Sequence, residues 1–436
     1  MDSEHRRPRL RLADRSAKVA EVTIDDLLPP DHQARDMVAY VQALDLSEYL
    51  AAIRAVEGNV GRDATDPAVL LALWMLAVAD GVGSARRLAR LTIEHAAYRW
   101  IAGGVTLCHR VLSAFRSNHG ELFERLMMKH VGALMQQGLV TLQSVAQDGL
   151  RVRASAGAGS FHRERSIDEC MRLVHEQLEE LKRHDDDDPD GPDRRARAAE
   201  ERRAKDRFDR LERAKQVAAD LSVKQIERAH KHPGDVKTRQ LDGEGRGSTT
   251  DPEARKMKMA DGGFRPAFNV QVATDVGSGI AVGLFVTNQG SDNGLLAPML
   301  AALAAAYGRR PDAALVDGGY ASRADVETAH RLGVTLYAPL RNERKDLDAG
   351  RDPYAPKAGD GPGMKALRAR MRATDAKAIY RRRSLTAEWT NAGLRQRGLY
   401  QTVVRGLAKV RTVTALQLLY HNWRRSRRLM EGRCAA

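Results

Sequence analysis

Residues 147–155 read QDGLRVRAS, and their period differs from everything before them. Leu150, Val152 and Ala154 alternate with Arg151, Arg153 and Ser155, the two-residue repeat of a half-buried strand. From about residue 31 to residue 138 the apolar spacing is helical instead. Asp66-Pro67 supplies an N-cap and a proline at the first helical position, ahead of VLLALWMLAVA at 69–79. GSARRLARLTIEHAAYRWIAGG has Ser84 as its cap and closes on glycines, and HRVLSAFRSNHGELFERLMMKHVGALMQQG keeps the helical spacing. The pattern predicts an all-helical N-terminal domain over 1–138, which gives way to a β-containing domain at this strand.

Outward from it, the next strands come more than a hundred residues later. AFNVQVATD alternates through Phe268, Val270 and Val272. The turn VGSG follows, and Ile280, Val282, Leu284 and Val286 alternate again, which predicts a β-hairpin. In between, Ile167, Met171, Val174, Leu178 and Leu181 form one helical series. Ala204, Phe208, Leu211, Ala214, Ala218 and Leu221 form another, beyond the polar joint HDDDDPDGPD. Two amphipathic helices folded into an antiparallel hairpin fit this spacing. The aspartates of the joint read as a solvated turn, because consecutive carboxylates repel one another.

Past the β-hairpin the pattern is helix (SDNGLLAPMLAALAAAYG, with a capping residue), short strand (AALVD), helix (SRADVETAHRLG) and strand (VTLYAPL). Ser322 and Asp325 form a capping box. A Gly/Pro-rich linker, NERKDLDAGRDPYAPKAGDGPG, then leads to helical sequence. The order β, insertion, β, β, α, β, α, β, linker, α is that of an α/β, RNase-H-like mixed sheet flanked by helices, with a helical-hairpin insertion after its first strand. The domains expected are therefore 1–138, an insertion at 161–261, and a sheet domain from 139–160 and 262–430.

In such a layout the first and fourth strands lie side by side. Asp148 on the first could then approach Asp317 in LVDGGY at the end of the fourth, and Glu388 in RRRSLTAEWTNAGLR is the acid the final long helix could add. Taken alone, Asp317 before two glycines is ordinary turn chemistry. Three converging carboxylates repel unless cations lie between them. Magnesium suits such oxygen ligands, and two ions about 3.5–4 Å apart serve in-line phosphoryl displacement. Asn269 and Gln271 share one strand face, lining that site or facing the helical insertion.

Composition points the same way. The formal charge of +14 favours a polyanionic partner such as nucleic acid. Cys108, Cys170 and Cys434 are scattered, with no zinc-like spacing and no disulfide framework. No secretory signal opens the sequence, and the longest apolar run is too short for a bilayer, so a cytoplasmic location without membrane contact is expected.

These residues carry a family resemblance over most of the chain. DPAVLLALWMLAVADGVGSARRLARLTIEHAAYRWIAGG, QDGLRVRASA, TDPEARKMKMADGGFRPAFNVQVATD, LVDGGYAS, and YRRRSLTAE with RGLAKVRTVTALQLLYHNW resemble, in this order, a bacterial insertion-sequence transposase of the DDE type. The resemblance implies that Asp148, Asp317 and Glu388 are a metal-binding catalytic triad taking two Mg²⁺ ions, with Mn²⁺ as a substitute. It implies that Tyr380, Arg383 and Arg395 hold the DNA backbone or the triad. It also implies strand cleavage at the element's ends and transfer into target DNA. Arg86, Arg87 and Arg90, with the basic NWRRSRRLMEGR, are the residues expected to bind double-stranded DNA, the terminal inverted repeats and the target. A homodimer or larger assembly is expected on that DNA. One departure stands out: Trp389-Thr390-Asn391-Ala392 replaces the family's usual Pro-Val-Phe-Gly. It leaves open the alternative of a catalytically impaired relic that only binds DNA.

Overall fold

The computed structural model describes residues 23–51, 53, 63–187, 193–231, 233 and 244–434. Its centre is a mixed sheet. Strand β1 (Ser144–Arg153) pairs antiparallel with β5 (Phe264–Asp275) on one side and parallel with β7 (Ala313–Leu315) on the other. Strand β8 (Thr335–Tyr337) extends the sheet parallel to β7, and β6 (Ala281–Thr287) pairs antiparallel with β5. Strand β4 (Arg255–Lys258) pairs with the first residues of β5. The order β6-β5-β1-β7-β8 and these directions are the RNase-H-like arrangement expected.

Both faces of the sheet are covered, so Ala267–Asp275 are buried without interruption. On one face Leu150, Val152, Phe268, Val270 and Val272 join a single apolar cluster with the N-terminal helices and with the long C-terminal helix Leu407–Cys434. The N-terminal helices are Gln33–Gln42 (α1), Ser47–Ala51 (α2), Pro67–Ala79 (α3), Ala85–Glu94 (α4), Ala96–Ala102 (α5), His109–Asn118 (α6) and Gly120–Gln136 (α7). Asp66 and Ser84 cap α3 and α4 as expected. Two long helical stretches are broken where one helix each was expected, with His95 and His119 at the breaks. The His95 ring accepts from the Ala97 amide, so it serves as the cap of a new helix.

The insertion is an antiparallel pair, α8 (Glu164–Asp187) and α9 (Arg194–Lys231), packed through Ile167, Val174, Leu178, Ala204, Leu211, Ala214 and Ala218. Residues 188–192 of the acidic joint lie outside the described residues. A two-residue ladder, β2 (Phe161–His162) with β3 (Gly247–Ser248), closes the neck of the hairpin. Gly247 passes so near α9 that a Cβ there would stand 2.0 Å from the Ala214 carbonyl oxygen.

The opposite face of the sheet carries α10 (Leu296–Tyr307) and α11 (Arg323–Arg331). Ser322 caps α11 through the Asp325 amide, but α10 starts without a side-chain cap. Residues 342–363 are no bare linker. They form the short helix α12 (Glu343–Asp348) and are tied by the ion pairs of Asp346 with Arg351 and Lys357, and of Asp360 with Arg368. Then follow α13 (Pro362–Arg372), α14 (Thr374–Arg383), a π-helical turn (Ser384–Glu388), α15 (Trp389–Gln396) and the C-terminal helix, α16. Buried Asn422 of α16 brackets β6: its Oδ1 accepts from the Ala281 amide and its Nδ2 donates to the Ala281 carbonyl, each at 2.8 Å.

Candidate active site

Strand register sets the first two acids. Ala146 of β1 stands opposite Leu315 of β7 in the parallel pair, so two residues further along each chain Asp148 and Asp317 come level. Asp317 remains a turn former: its Oδ1 accepts from the Gly319 amide at 2.7 Å. A Cβ on Gly319 would press on that oxygen at 2.9 Å. The turn is what presents the carboxylate beyond the strand end.

The third acid arrives by a different route. Ala387 is buried against Ala146 and Leu315, which seats the π turn directly over β1 and β7 and leaves Glu388 at the rim. On a regular α-helix, residues five apart point about 140° away from each other. The π turn removes that divergence, so Arg383 Nη1 donates to Glu388 Oε1 at 2.9 Å. Its Nη2 donates to Asp148 Oδ1 at 2.9 Å and lies 3.9 Å from Asp317 Oδ2. One guanidinium thus gathers all three carboxylates. Glu388 therefore comes from a π turn between two short helices, not from a long final helix.

Three carboxylates against one guanidinium leave a surplus of two negative charges. Burial first holds the Asp148 carboxyl above its ordinary value, and the charge of Asp317 adds to this, while Arg383 and Asn391 oppose it. The Arg383 partner does not fully compensate Asp148. Buried Arg383 Nε and Asn391 Oδ1 have no hydrogen-bond partner. Among the described residues no group of three or more His, Cys, Asp or Glu side chains is placed to hold a metal ion, and the three acids meet on Arg383 instead. The acids converge on a cation nonetheless, so the donor set is fit for positive charge.

Other expected residues fall into distinct places. Tyr380, half-buried one turn before Arg383, feels the charges of all three acids, and burial raises its hydroxyl. Arg395 is exposed on α15, and Arg86, Arg87 and Arg90 are exposed on α4. Asn269 and Gln271 do not touch Asp148 but hold Asp292, whose side chain lies beside Gly319 and so next to the Asp317 turn. They turn to the opposite face, where both donate to Asp292 Oδ1 at 2.8 Å. Arg151 completes that group with bonds of 3.2 and 3.0 Å to the two Asp292 oxygens. Gln271 also accepts from Gln147 and from the buried Tyr320 hydroxyl.

Asn391 was missed from the sequence. It sits in the divergent stretch after Glu388, and its Nδ2 donates to Asp148 Oδ2 at 3.1 Å. Its spacing of three from Glu388 was the available signal, since residues three apart share a helix face.

Two family models match the chain. Residues 22–118 match the family model described as Transposase domain (DUF772), and residues 228–402 the one described as Transposase DDE domain. The two matches together span more than half of the chain and include Asp317 and Glu388, while Asp148 lies outside both. No curated protein and no solved structure matches. The chain belongs to the DDE-type insertion-sequence transposases.

Proposed function

We propose that in this DNA transposase Asp148, Asp317 and Glu388 are the catalytic carboxylates, cutting DNA at the element's ends and joining it to target DNA. The observation that supports this is the convergence of three acids, from three distant parts of the chain, on one guanidinium with negative charge to spare. A hard, oxygen-only donor set of this kind suits Mg²⁺, as two ions, with Mn²⁺ as a substitute. Bound between these acids, the metal would supply Lewis-acid charge for phosphoryl transfer.

The chain's own residues position the DNA. Arg383, with its planar fork, is built to exchange carboxylate for phosphate oxygens once the acids are otherwise neutralised. Asn391 fixes the rotation of Asp148, and Tyr380 stands half-buried within the field of Arg383 and the three acids. Arg395, nearly two turns beyond Glu388, takes a phosphate further along the strand. Water first cleaves the phosphodiester and leaves a 3′-hydroxyl. That hydroxyl then attacks a phosphodiester of the target, joining the ends and displacing a target 3′-hydroxyl.

The exposed Arg86, Arg87 and Arg90 on α4 are the proposed contacts to the terminal repeats, in a homodimer or larger assembly in the cytoplasm. No helix among the described residues is long and apolar enough to cross a membrane. No observation favours the impaired relic, for the divergent stretch supplies Asp148 with a donor in Asn391. The test is nicking of a duplex carrying an element end. Asp148→Ala and Asp317→Ala should lose cleavage and keep end binding, and normal cutting by either overturns the assignment. The N-terminal helices share the sheet's apolar cluster, so their role is tested with Arg86→Gln/Arg87→Gln/Arg90→Gln and not by deletion.

A further inference from the structure

Beside Glu388, but on the far side of α15 from Asn391, lies a cleft of about 350 Å³ between α15 and α16. Its walls include Trp389, His421, Arg397, Arg424, Arg425 and Arg428, and no acid lines it. Arg427, on the same helix, is paired with Asp36 at 2.9 Å, so α16 does not lack for acids within reach elsewhere. Arg397 is the informative residue. It is only 8% exposed, and its Nε and Nη2 have no hydrogen-bond partner. Its guanidinium rests over the Tyr420 ring, 5.5 Å from the centroid. Gly393 leaves room for it, since a Cβ there would stand 3.2 Å from one of its nitrogens. An unpaired cation buried to this degree is costly unless an anion completes it.

Trp389 forms the other half of the cleft. The residue is 47% exposed, its ring meets the His421 ring edge-on at 5.6 Å, and the Arg425 guanidinium lies 5.7 Å from its centroid. Arg425 is held in place by its bond to the Ser278 carbonyl. The histidine and the arginine thus fix the indole in a half-open position.

We propose that this cleft is a subsite for a single DNA strand, in which the arginines take a backbone phosphate and Trp389 stacks on an unpaired base. The proposal rests on the reading of Glu388 as a catalytic residue, because that places the strand entering the cleft next to the bond being cut. Helix α15 explains the continuity. Glu388 and Arg395 lie along one side of it, Ala392 and Gln396 along the next, and Trp389 and Gly393 beyond them, opposite Asn391, so a strand leaving Glu388 meets the edge of the cleft within one turn. A phosphate alone would need only the arginines. The exposed indole adds a flat surface for a base, and stacking of this kind is worth about 1–3 kcal/mol per base.

The test uses the full chain in chelator, where no cutting occurs, and follows tryptophan fluorescence. The probes are a short single-stranded oligodeoxynucleotide, the same sequence as a duplex, and inorganic phosphate. The single strand should quench the emission, and Trp389→Phe should abolish most of the quench. Arg424→Gln/Arg428→Gln, both at exposed positions, should weaken binding about tenfold and lower the salt dependence of log K by roughly 1.4. Unchanged affinity and salt slope in that double variant would overturn the proposal. So would a duplex that quenches as strongly as the single strand, or phosphate that binds where the strand does not. Asp148→Ala reports separately on the catalytic reading. If it still cuts, that reading fails while the binding result stands, and if it stops cutting while the arginine variant binds normally, only the cleft is lost.

Discussion

The two faces of the central sheet each carry an aspartate held by an arginine and an asparagine, and the two groups behave oppositely. On one face Asp292 takes both nitrogens of Arg151 and the amides of Asn269 and Gln271. One carboxylate meets one guanidinium, and its donors are matched. On the other face Asp148 shares Arg383 with two further acids, and Arg383 Nε and Asn391 Oδ1 are left without partners. The chemistry of the side chains is nearly the same, and the charge count differs. A balanced group fixes structure, whereas an unbalanced one keeps negative charge that its own residues do not offset.

The largest expected effect separates the faces by activity. Asp148→Ala should lower strand cleavage by more than about 10³-fold while barely moving the unfolding midpoint. Asp292→Ala should do the reverse on stability. It removes the charged acceptor shared by Arg151, Asn269 and Gln271, leaving them only the Gly290 and Gln289 carbonyls and Asn269 Oδ1, at a cost of about 1.5–3 kcal/mol in denaturant unfolding. A larger stability loss in Asp148→Ala than in Asp292→Ala would remove the distinction. Next comes Gly149→Ala, which pushes a methyl group into the balanced side, 2.6 Å from Gln271 Nε2 and 2.9 Å from Asp292 Oδ1. Its cost should be about 1–3 kcal/mol, read from the same unfolding curves.

The smallest effect is in pH. Burial, and then the charge of Asp317, hold the Asp148 carboxyl above its ordinary value in the folded chain. Between that ordinary value and the raised one, the folded state binds more protons than the unfolded state. Stability in chelator should therefore fall as pH rises through this window and recover below it. Asp148→Asn should flatten that slope. A slope unchanged by the substitution would place the titration elsewhere.

Much of the strand order and the three acids could be read from the sequence, because alternation and apolar spacing are local signals. Asp148 and Asp317 follow from register once the first and fourth strands are neighbours. The π turn was hidden, since it is set by the burial of Ala387 against two strands and not by any preference of Ser-Leu-Thr-Ala-Glu. Asp292 was hidden for a related reason. Beside a helix start, an Asp reads as a cap, yet its partners Arg151, Asn269 and Gln271 come from two strands distant in the chain and turn it inward. Residues 342–363 look like a linker because glycine and proline dominate. The ion pairs that order them, such as Arg368 with Asp360, carry no periodicity.

The helical hairpin also bears on how the chain comes to fold. β1 and β5 are neighbours in the sheet but are separated in sequence by roughly a hundred residues. Pairing them from an open chain would require closure of that whole loop, a slow event that discards much chain entropy. α8 and α9 make contacts that are local by comparison, and the β2–β3 ladder brings the two ends of the hairpin together at its base. Once they have zipped, only residues 154–160 on one side and 249–266 on the other remain to be closed before Arg153 can find Ala267. A segment that interrupts the catalytic sheet in sequence is thus also the splint that lets the sheet's longest pairing form early.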